Sequence, residues 1–331
     1  MAFFGKKKSK KLNRLFFATD IHGSERTYRK FLNAGKFYEV NTIVMGGDIS
    51  GKLLIPIIKE SNGHYRATLQ GTMRKLTTDE ELKQLQDRIG LLGFYFQIME
   101  EDEYKSLAED PEKVNQLFHQ LARKRLTEWV DLAETRLKGT GIRCFVTGGN
   151  DDDPEVLEAI RGAGHESFFA CEAMLVPIDE DHTMASVGFS NPTPWKTPRE
   201  IPDEKLAEII EGMCAQVKDF RCCIFNFHVP PVDSTLDLCP KLDWTTDPPS
   251  PIMASGQMVM AGAGSMAVRK AIEKYQPMLG LHGHIHEAQG MVKIGRTTCI
   301  NPGSEYGEGI LRGCLVTFAD GTVEGFQMTS G

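Results

Sequence analysis

The chain carries near its start the sequence Leu15-Phe16-Phe17-Ala18-Thr19-Asp20-Ile21-His22, in which an apolar run leads directly into polar residues. An apolar run this short, without regular polar alternation, predicts a strand buried on both faces. The same arrangement recurs at residues 42–45 before Gly46-Gly47-Asp48, at 144–147 before Gly148-Gly149-Asn150, at 223–227 before His228, and at 278–281 before His282-Gly283-His284. In open α/β sheets ligands gather at the carboxyl ends of the strands. We therefore expect an α/β fold in which the five polar clusters converge.

Helical patterns separate these strands, whereas the C-terminal part of the sequence is predicted to consist of strands and turns. N-cap residues and proline positions predict helices at residues 24–34, 154–161, 203–217 and 265–275, with Asp203 as the cap of the third. Glycine-containing turns between short apolar runs predict strands at residues 291–294, 297–300, 314–318 and 323–328.

The segment at residues 51–140 interrupts this alternation. It predicts a hairpin, residues 53–58 and 64–70 around Asn62-Gly63, followed by two long helices at 77–107 and 111–137. We interpret it as a hairpin and helical insertion, or cap, within a single domain that spans residues 1–331. The aromatic stripe Phe94-Tyr95-Phe96 is interpreted as packing for the inserted helices rather than as a platform for base stacking.

The composition excludes several classes of protein. The 331 residues are 41% hydrophobic and 25% charged, with a net charge of −7, which disfavours a general nucleic-acid or anionic-membrane binder. Eight cysteines without a CxxC pair indicate buried thiols in a reducing compartment. The basic residues 6–11 precede no long apolar run, and no stretch of about 18 apolar residues occurs. We expect a cytoplasmic protein with neither a signal peptide nor a membrane span.

Each of the five clusters offers nitrogen or oxygen ligands for a metal. Carboxylate, imidazole and amide donors together suit Zn, Mn or Fe rather than Cu(I) or a thiolate cluster. A single histidine or a Gly-Gly-Asp turn alone would not indicate a metal site. The prediction rests on the occurrence of all five clusters in one chain. The candidate ligands are Asp20, His22, Asp48, Asn150, His228, His284 and His286.

The order DxH, GD, GN, H and GHxH resembles the calcineurin-like metallophosphoesterase superfamily, and Asn301-Pro302-Gly303-Ser304 is similar to the NPGS of its small prokaryotic members. The resemblance spans residues 20–286 and implies a four-layer αββα sandwich that carries two metal ions. It implies one metal held by Asp20, His22 and His286, another held by Asn150, His228 and His284, and Asp48 as the bridge. The activity implied is phosphoester hydrolysis by attack of a metal-bridging hydroxide.

The third motif departs from the family pattern. Asp151 stands where the family has the histidine that is assigned to protonate the leaving group or orient the substrate. An Asp beside two cations should have a lowered pKa, which makes it a poor general acid. The departure favours a phosphodiesterase, and the alternatives are a phosphomonoesterase, such as a nucleotidase or protein phosphatase, and a non-catalytic protein-binding scaffold.

Several neighbouring residues are candidates for catalysis or substrate binding. Asp48, Asn150, Asp151 and Asp152 form the catalytic set, and Asp152 would either orient Asn150 or His228 or, slightly favoured, cap a helix before Pro154. Asn150 and Asn301 are the substrate-binding candidates, with a plain turn as the alternative for Asn301. His282 is expected to support the ligands or the fold. The expected substrate is a phosphoester small molecule or nucleotide, without stable nucleic-acid binding, and an oligomer would use the helical insertion.

Overall fold

A computed structural model describes residues 12–162 and 165–331 of the chain. The basic run at residues 6–11 lies outside the described residues. The described residues form the helices α1 Glu25–Phe37, α2 Asp79–Leu91, α3 Glu101–Ala108, α4 Pro111–Leu137, α5 Pro154–Leu157, α6 Asp203–Cys214 and α7 Met266–Tyr275.

The strands, in chain order, divide among larger sheets and short ribbons. They are β1 Asn13–Ala18, β2 Thr42–Met45, β3 Leu54–Lys59, β4 Tyr65–Leu69, β5 Thr72–Leu76, β6 Tyr95–Glu100, β7 Arg143–Val146, β8 Phe168–Ala170, β9 Leu175–Pro177, β10 Thr183–Val187, β11 Cys223–Phe227, β12 Leu238–Pro240, β13 Leu242–Asp243, β14 Ser250–Pro251, β15 Met253–Ala254, β16 Gln257–Met258, β17 Met260–Gly262, β18 Leu279–Leu281, β19 Gly290–Ile294, β20 Thr297–Asn301, β21 Arg312–Ala319 and β22 Thr322–Ser330.

Two six-stranded sheets carry the fold, in the orders β22-β21-β1-β2-β7-β8 and β19-β20-β18-β11-β10-β9. Strands β1, β2 and β7 run parallel in the first sheet, as do β10, β11 and β18 in the second. The α/β class and the five sequence-predicted strands before the polar clusters are thereby confirmed. The four C-terminal strands are also present, each within two residues of the expected ends.

Alternate residues of one strand enter different apolar clusters. Phe17 packs in a cluster with residues of the second sheet, including Ile224 and Leu281. Its neighbour Phe16 points to the other face and joins the cluster that contains Phe31 of α1 and residues of α4. A third cluster combines β10 and β11 with α6 and α7. The strands are therefore buried on both faces, which explains why their sequences lack polar alternation.

The inserted segment folds partly as the sequence predicts. The hairpin β3–β4 is present, and α4 has the expected bounds. The single helix expected at residues 77–107 is wrong, because this stretch forms α2, then strand β6, then α3. Strand β6 pairs in parallel with β3, so the segment has its own four-stranded sheet, β5-β4-β3-β6, backed by α2.

Several helix ends differ from the sequence expectation, and among them α1 continues to Phe37 rather than residue 34 and α6 stops at Cys214 rather than residue 217. Asp203 is the first residue of α6 rather than its cap, and its carboxylate accepts hydrogen bonds from Ser265 Oγ and Met266 N at the start of α7. The helix after Pro154 ends as α-helix at Leu157 and continues as one 3₁₀ turn. Ser265 caps α7 as expected.

Among the described residues, no helix combines the length and apolar character needed to cross a membrane. All eight cysteines are unpaired, and six of them are buried.

Candidate metal centre

The seven candidate ligands lie on five loops, each of which leaves the carboxyl end of a parallel strand. Because β1, β2 and β7 share one direction, their loops emerge at one edge of the first sheet. Because β11 and β18 are parallel, their loops emerge at one edge of the second. The two edges meet where His284 Nδ1 lies 2.6 Å from Asn150 Oδ1. The expected convergence of the loops is confirmed.

Asp20, His22 and His286 form the first group of donors. His22 Nε2 lies 3.1 Å from His286 Nε2, and the latter lies 3.4 Å from Asp20 Oδ1. The ring of Tyr306 packs against both imidazoles, with centroid distances of 4.6 Å to His22 and 5.9 Å to His286. The aromatic ring thus limits how far either imidazole can turn.

Asn150, His228 and His284 form the second group. Asn150 Oδ1 lies 3.1 Å from His228 Nε2 and 2.6 Å from His284 Nδ1, so one amide oxygen faces both imidazoles. His228 Nδ1 donates to Gly46 O at 2.9 Å. This bond fixes the tautomer and leaves Nε2 free to act as a ligand.

Asp48 lies between the two groups. Its Oδ2 is 3.7 Å from His22 Nε2 and 3.4 Å from His228 Nε2. Ligands bound at about 2.0–2.2 Å to one ion stand roughly 3.0–3.5 Å apart, which is close to the spacing seen here. The donor set and its spacing therefore fit one metal in each group, with Asp48 within reach of both.

The electrostatics of the cluster favour bound positive charge. Burial alone would lower the pKa of His228, but the carboxylates of Asp48 and Asp20 raise it to about 10. Burial raises the pKa of Asp20 and Asp48, yet the charge on His228 together with the hydrogen bonds and charges of other neighbouring groups outweighs burial and holds both pKa values below the ordinary range. Without metal, the carboxylates thus pull a proton onto an imidazole, and a bound cation would replace that proton.

Two other imidazoles are held neutral, as metal ligation requires. Burial and the charge on His228 lower the pKa of His284 to about 4. Burial, followed by the charge on Lys52, lowers the pKa of His22 well below its ordinary value. His22 Nδ1 is buried and makes no hydrogen bond to any described residue. It is the ring nitrogen other than Nε2, which faces His286 and Asp48, and it lies 3.7 Å from Asp151 Oδ2.

Four of the seven candidate ligands have a strained backbone. The φ angles are +53° at Asp20, +39° at His22, +51° at Asp48 and +67° at His284. Each residue other than glycine with such a φ costs on the order of 1–3 kcal/mol, and such residues concentrate at functional sites. The strained backbone therefore lowers the stability of the fold at the positions where these four side chains face the cluster.

Asp152 supports the loops of the cluster rather than capping a helix. Its Oδ1 accepts from the Ser50 N–H at 2.7 Å and the Ser50 hydroxyl at 2.5 Å, and its Oδ2 accepts from Ile49 N at 3.0 Å and Gly149 N at 2.8 Å. The helix cap is Asp153, so the capping expectation for Asp152 is wrong. Asp152 joins the loop of Asp48 to the loop of Asn150.

Gly149 shows why glycine precedes Asn150. A Cβ at Gly149 would overlap Asp48 Oδ1 and the Asp48 amide nitrogen. The two loops can therefore lie against each other only without a side chain at this position.

Asn301 does not face a substrate cleft. Its Nδ2 donates to Ile285 O at 3.0 Å and Gly283 O at 3.2 Å, and its Oδ1 accepts from Gly303 N at 2.8 Å. The side chain is fully buried. Its hydrogen bonds make it a support for the loop that carries His284, which corrects its expected role in substrate binding. His282 is likewise buried, and its Nδ1 bonds to Phe227 O at 2.8 Å.

Asp151 lies beside the cluster with a partner that no motif marks. Its Oδ2 is 2.6 Å from Lys52 Nζ and 3.7 Å from His22 Nδ1. Burial and the charge on Asp48 raise its pKa to about 6 against the opposing effect of Lys52. This direction belongs to the protein without metal and follows first from burial and then from the carboxylate of Asp48, whereas the expected lowering of the pKa applies once cations are bound. Lys52 and Thr197, whose Oγ1 accepts from Asn150 Nδ2 at 2.8 Å, lie outside the sequence-predicted set.

No protein-family model matches the sequence. An uncharacterized protein of Methanocaldococcus jannaschii is 29% identical over 156 residues, which cover 46% of this chain and 61% of that protein. The alignment thus spans less than two thirds of that relative.

Solved structures align over nearly the whole chain. One has a TM-score of 0.57 at 15% identity, covering 96% of this chain and 99% of its own. A protein of Thermus thermophilus has a TM-score of 0.51 at 11% identity, covering 97% and 99%. Similarity at these identities shows a shared fold alone. A novel archaeal phosphodiesterase aligns with a TM-score of 0.31 at 10% identity, covering 96% and 99%, which is too low for an inference about this chain.

Proposed function

We propose that this chain is a dinuclear metal-dependent phosphoesterase of the calcineurin-like type. The observation that carries the proposal is the position of Asp48 Oδ2, which lies within 3.7 Å of a nitrogen in each of two donor groups. A carboxylate between two groups of nitrogen and oxygen donors is an arrangement that suits two neighbouring cations.

The proposed ligands divide as the two groups divide. Asp20, His22 and His286 would hold one ion, Asn150, His228 and His284 the other, and Asp48 would contact both. The donors suit Mn, Fe or Zn. When bound, such a pair supplies an acidified water and positive charge for the phosphoryl oxygens. Asp152 keeps the loops of Asp48 and Asn150 in register, and Asn301 supports the loop of His284.

The proposal includes the four-layer αββα sandwich as a single domain. It is supported by one apolar cluster shared by the two sheets and one cluster between each sheet and its helices. Residues 51–140 would be an insertion in that sandwich, and any oligomer would use its surface.

The substrate we propose is a phosphodiester of a small molecule or nucleotide. Asp151 replaces the family's histidine, and its carboxylate pairs with Lys52 at 2.6 Å. With a pKa of about 6, Asp151 is mainly ionised at neutral pH and has no proton to give a leaving group. A monoester dianion with a poor leaving group needs that proton more than an activated diester does.

Metal analysis combined with one substitution tests the proposal. The purified protein should carry close to two transition metals per chain and hydrolyse bis(p-nitrophenyl) phosphate faster than p-nitrophenyl phosphate. Asp48→Ala should abolish both metal retention and hydrolysis. Asp131→Ala, an exposed position on α4, serves as the matched control and should change neither.

Two outcomes would overturn the proposal. Undiminished hydrolysis by metal-free protein would remove the metal from the chemistry. Failure to bind any metal, together with a stable partner protein in a pull-down, would favour the non-catalytic scaffold. A faster reaction with the monoester would keep the metal centre but replace diesterase by monoesterase activity.

A further inference from the structure

Lys52 is fixed at the edge of the metal centre by the chain around it. It follows Gly51, whose N–H donates to Tyr95 Oη at 2.7 Å, so the backbone is held where the inserted segment begins. Its Nζ lies 2.6 Å from Asp151 Oδ2. The side chain remains 41% exposed, whereas that of Asp151 is 15% exposed. The ammonium group therefore lies where solvent and the buried cluster meet.

Asp151 is itself anchored to the proposed ligands. Its backbone N–H donates to Asp48 Oδ1 at 2.9 Å, and its Oδ2 lies 3.7 Å from His22 Nδ1. One carboxylate thus separates the ammonium of Lys52 from a ligand of the first group. A molecule that reaches the proposed metals from the side of Asp151 would therefore come close to the ammonium group of Lys52.

The ammonium group has donors to spare. A lysine carries three N–H donors. In the part of the chain that the structure describes, Lys52 has one ionic partner, Asp151. Two donors therefore remain for a bound anion, and the lysine keeps its positive charge because the carboxylates of Asp151 and Asp48 outweigh burial and raise its pKa.

We propose that Lys52 is a substrate-binding residue that donates a hydrogen bond to a non-bridging oxygen of the phosphoryl group, with Asp151 as the positioning residue that aims it. The inference rests on the proposed function, since it places the phosphoryl group at the two donor groups. It also gives Asp151 a role in place of the absent histidine. The substrate class that follows is an ester whose phosphoryl group carries a negative charge.

Inorganic phosphate titrated into the metal-loaded protein tests the role of Lys52 without turnover. A charged hydrogen bond contributes about 1.5–3 kcal/mol, so Lys52→Ala should raise the Kd for phosphate roughly ten- to a hundredfold. The KM for bis(p-nitrophenyl) phosphate should rise by a similar factor, with a smaller change in kcat. Lys52→Arg keeps the charge and should recover most of the lost affinity.

Lys59→Ala is the matched control. Lys59 lies on the same inserted segment and also pairs with a carboxylate, Glu100 Oε1 at 3.1 Å, but its pair is on the surface. This variant should leave the Kd, the KM and the metal content unchanged.

The outcomes separate this inference from the proposed function. Two metals and active wild-type protein, with unchanged Kd and KM in Lys52→Ala, would overturn the role of Lys52 alone. A wild type without metal or hydrolysis would overturn the proposed function, and phosphate titrated into that metal-free protein and its Lys52→Ala variant would still decide whether Lys52 binds the anion. Equal losses in Lys52→Ala and Lys52→Arg, accompanied by loss of metal, would indicate a structural role and also overturn the inference.

Discussion

The two large sheets and the segment at residues 51–140 contribute differently to the candidate site. In the two large sheets the central strands are parallel, and the seven proposed ligands lie on the loops that follow the carboxyl ends of these strands. In the segment at residues 51–140, the hairpin strands β3, β4 and β5 are antiparallel, and β3 also pairs in parallel with β6 across the hairpin and helix α2, but no proposed ligand follows any of these strands. The sheets therefore determine where the seven proposed ligands converge, whereas the segment contributes residues that lie beside the proposed ligands, such as Lys52.

The inserted segment is nevertheless joined closely to the site. Arg125 of α4 donates through Nη1 to Gly23 O at 2.9 Å and to Phe94 O at 3.0 Å. Tyr95 Oη accepts from Gly51 N, beside Lys52. The loop that carries His22 therefore contacts both the segment and the loops of its own sheet. Substitutions can compare how much each of these two regions contributes to the stability of the loop.

The largest effect is expected within the sheet loops, at Asp152. Asp152→Ala would leave three buried N–H groups and the Ser50 hydroxyl without their acceptor, which should lower the free energy of unfolding by about 3–5 kcal/mol. Asp153→Ala removes a helix cap and a partly exposed contact with His119 Nε2 at 3.5 Å, at about 1 kcal/mol. Urea denaturation of both variants measures the difference. Equal losses would mean that Asp152 does not join the loops.

A slightly smaller effect is expected where the segment meets the site, at Gly93. Its φ is +79°, and a Cβ there would overlap the carbonyl oxygen of His22. Strain and overlap together should lower the free energy of unfolding by about 3 kcal/mol in Gly93→Ala. Gly71 has a similar φ of +74° with nothing within 4 Å, so Gly71→Ala isolates the strain, at about 1 kcal/mol.

Thermal and urea denaturation of these two glycine variants decide how firmly the segment is attached. A larger loss in Gly93→Ala, with reduced metal retention, would show that the segment supports the loop of His22. Identical losses in both variants would instead make the segment an independent appendage.

The sequence predicts the sheets better than the segment, for a physical reason. A strand such as β1 is buried on both faces, so its apolar run and the polar residues after it are visible locally. Strand β6 is a strand because Tyr95 and its neighbours pair with β3, which lies some forty residues earlier. The sequence of residues 77–107 predicts one helix because local periodicity gives no information about the pairing of β6 with β3. Gly93 and the aromatic residues that follow it are nevertheless a local indication of a strand.

The ligands and their neighbours differ in the same way. Asp20, Asp48 and His228 each follow an apolar run, so their positions can be read from the chain. Lys52 reaches Asp151 only because two loops of different strands meet. Tyr306 packs on His22 although the two residues lie near opposite ends of the sequence, so no local sequence pattern predicts this contact.

A change in selectivity is expected at Asp151, if the chain is the proposed phosphoesterase. Asp151→His introduces a group that can protonate a leaving group near neutral pH. The ratio of kcat/KM for p-nitrophenyl phosphate to that for the diester should rise at least about tenfold, or about 1.4 kcal/mol. Asp151→Asn is the control, since it removes the carboxylate without adding an imidazole. The same ratio in both variants would contradict the reading of this position.

The smallest effect is expected at the far end of the segment, where Glu134 of α4 meets the first sheet. Its carboxylate accepts from Ser167 N at 2.8 Å and Phe168 N at 2.7 Å. Burial raises the pKa of Glu134, but these backbone donors lower it below its ordinary value of 4.5. Because the folded pKa is the lower one, the stabilisation is complete above pH 4.5 and is lost as the pH falls through the folded pKa.

Glu134→Gln should therefore lower the free energy of unfolding by about 0.5–1 kcal/mol at pH 7, a figure reduced for solvent screening. Below the folded pKa the variant and the wild type should converge, since the protonated carboxyl resembles the amide. Glu128→Gln, an exposed position on the same helix, should show no pH-dependent difference. A deficit in Glu134→Gln that stays constant with pH would assign the attachment of α4 to packing and to the other hydrogen bonds of this helix, such as that from Tyr28 Oη to Trp129 O, rather than to this carboxylate.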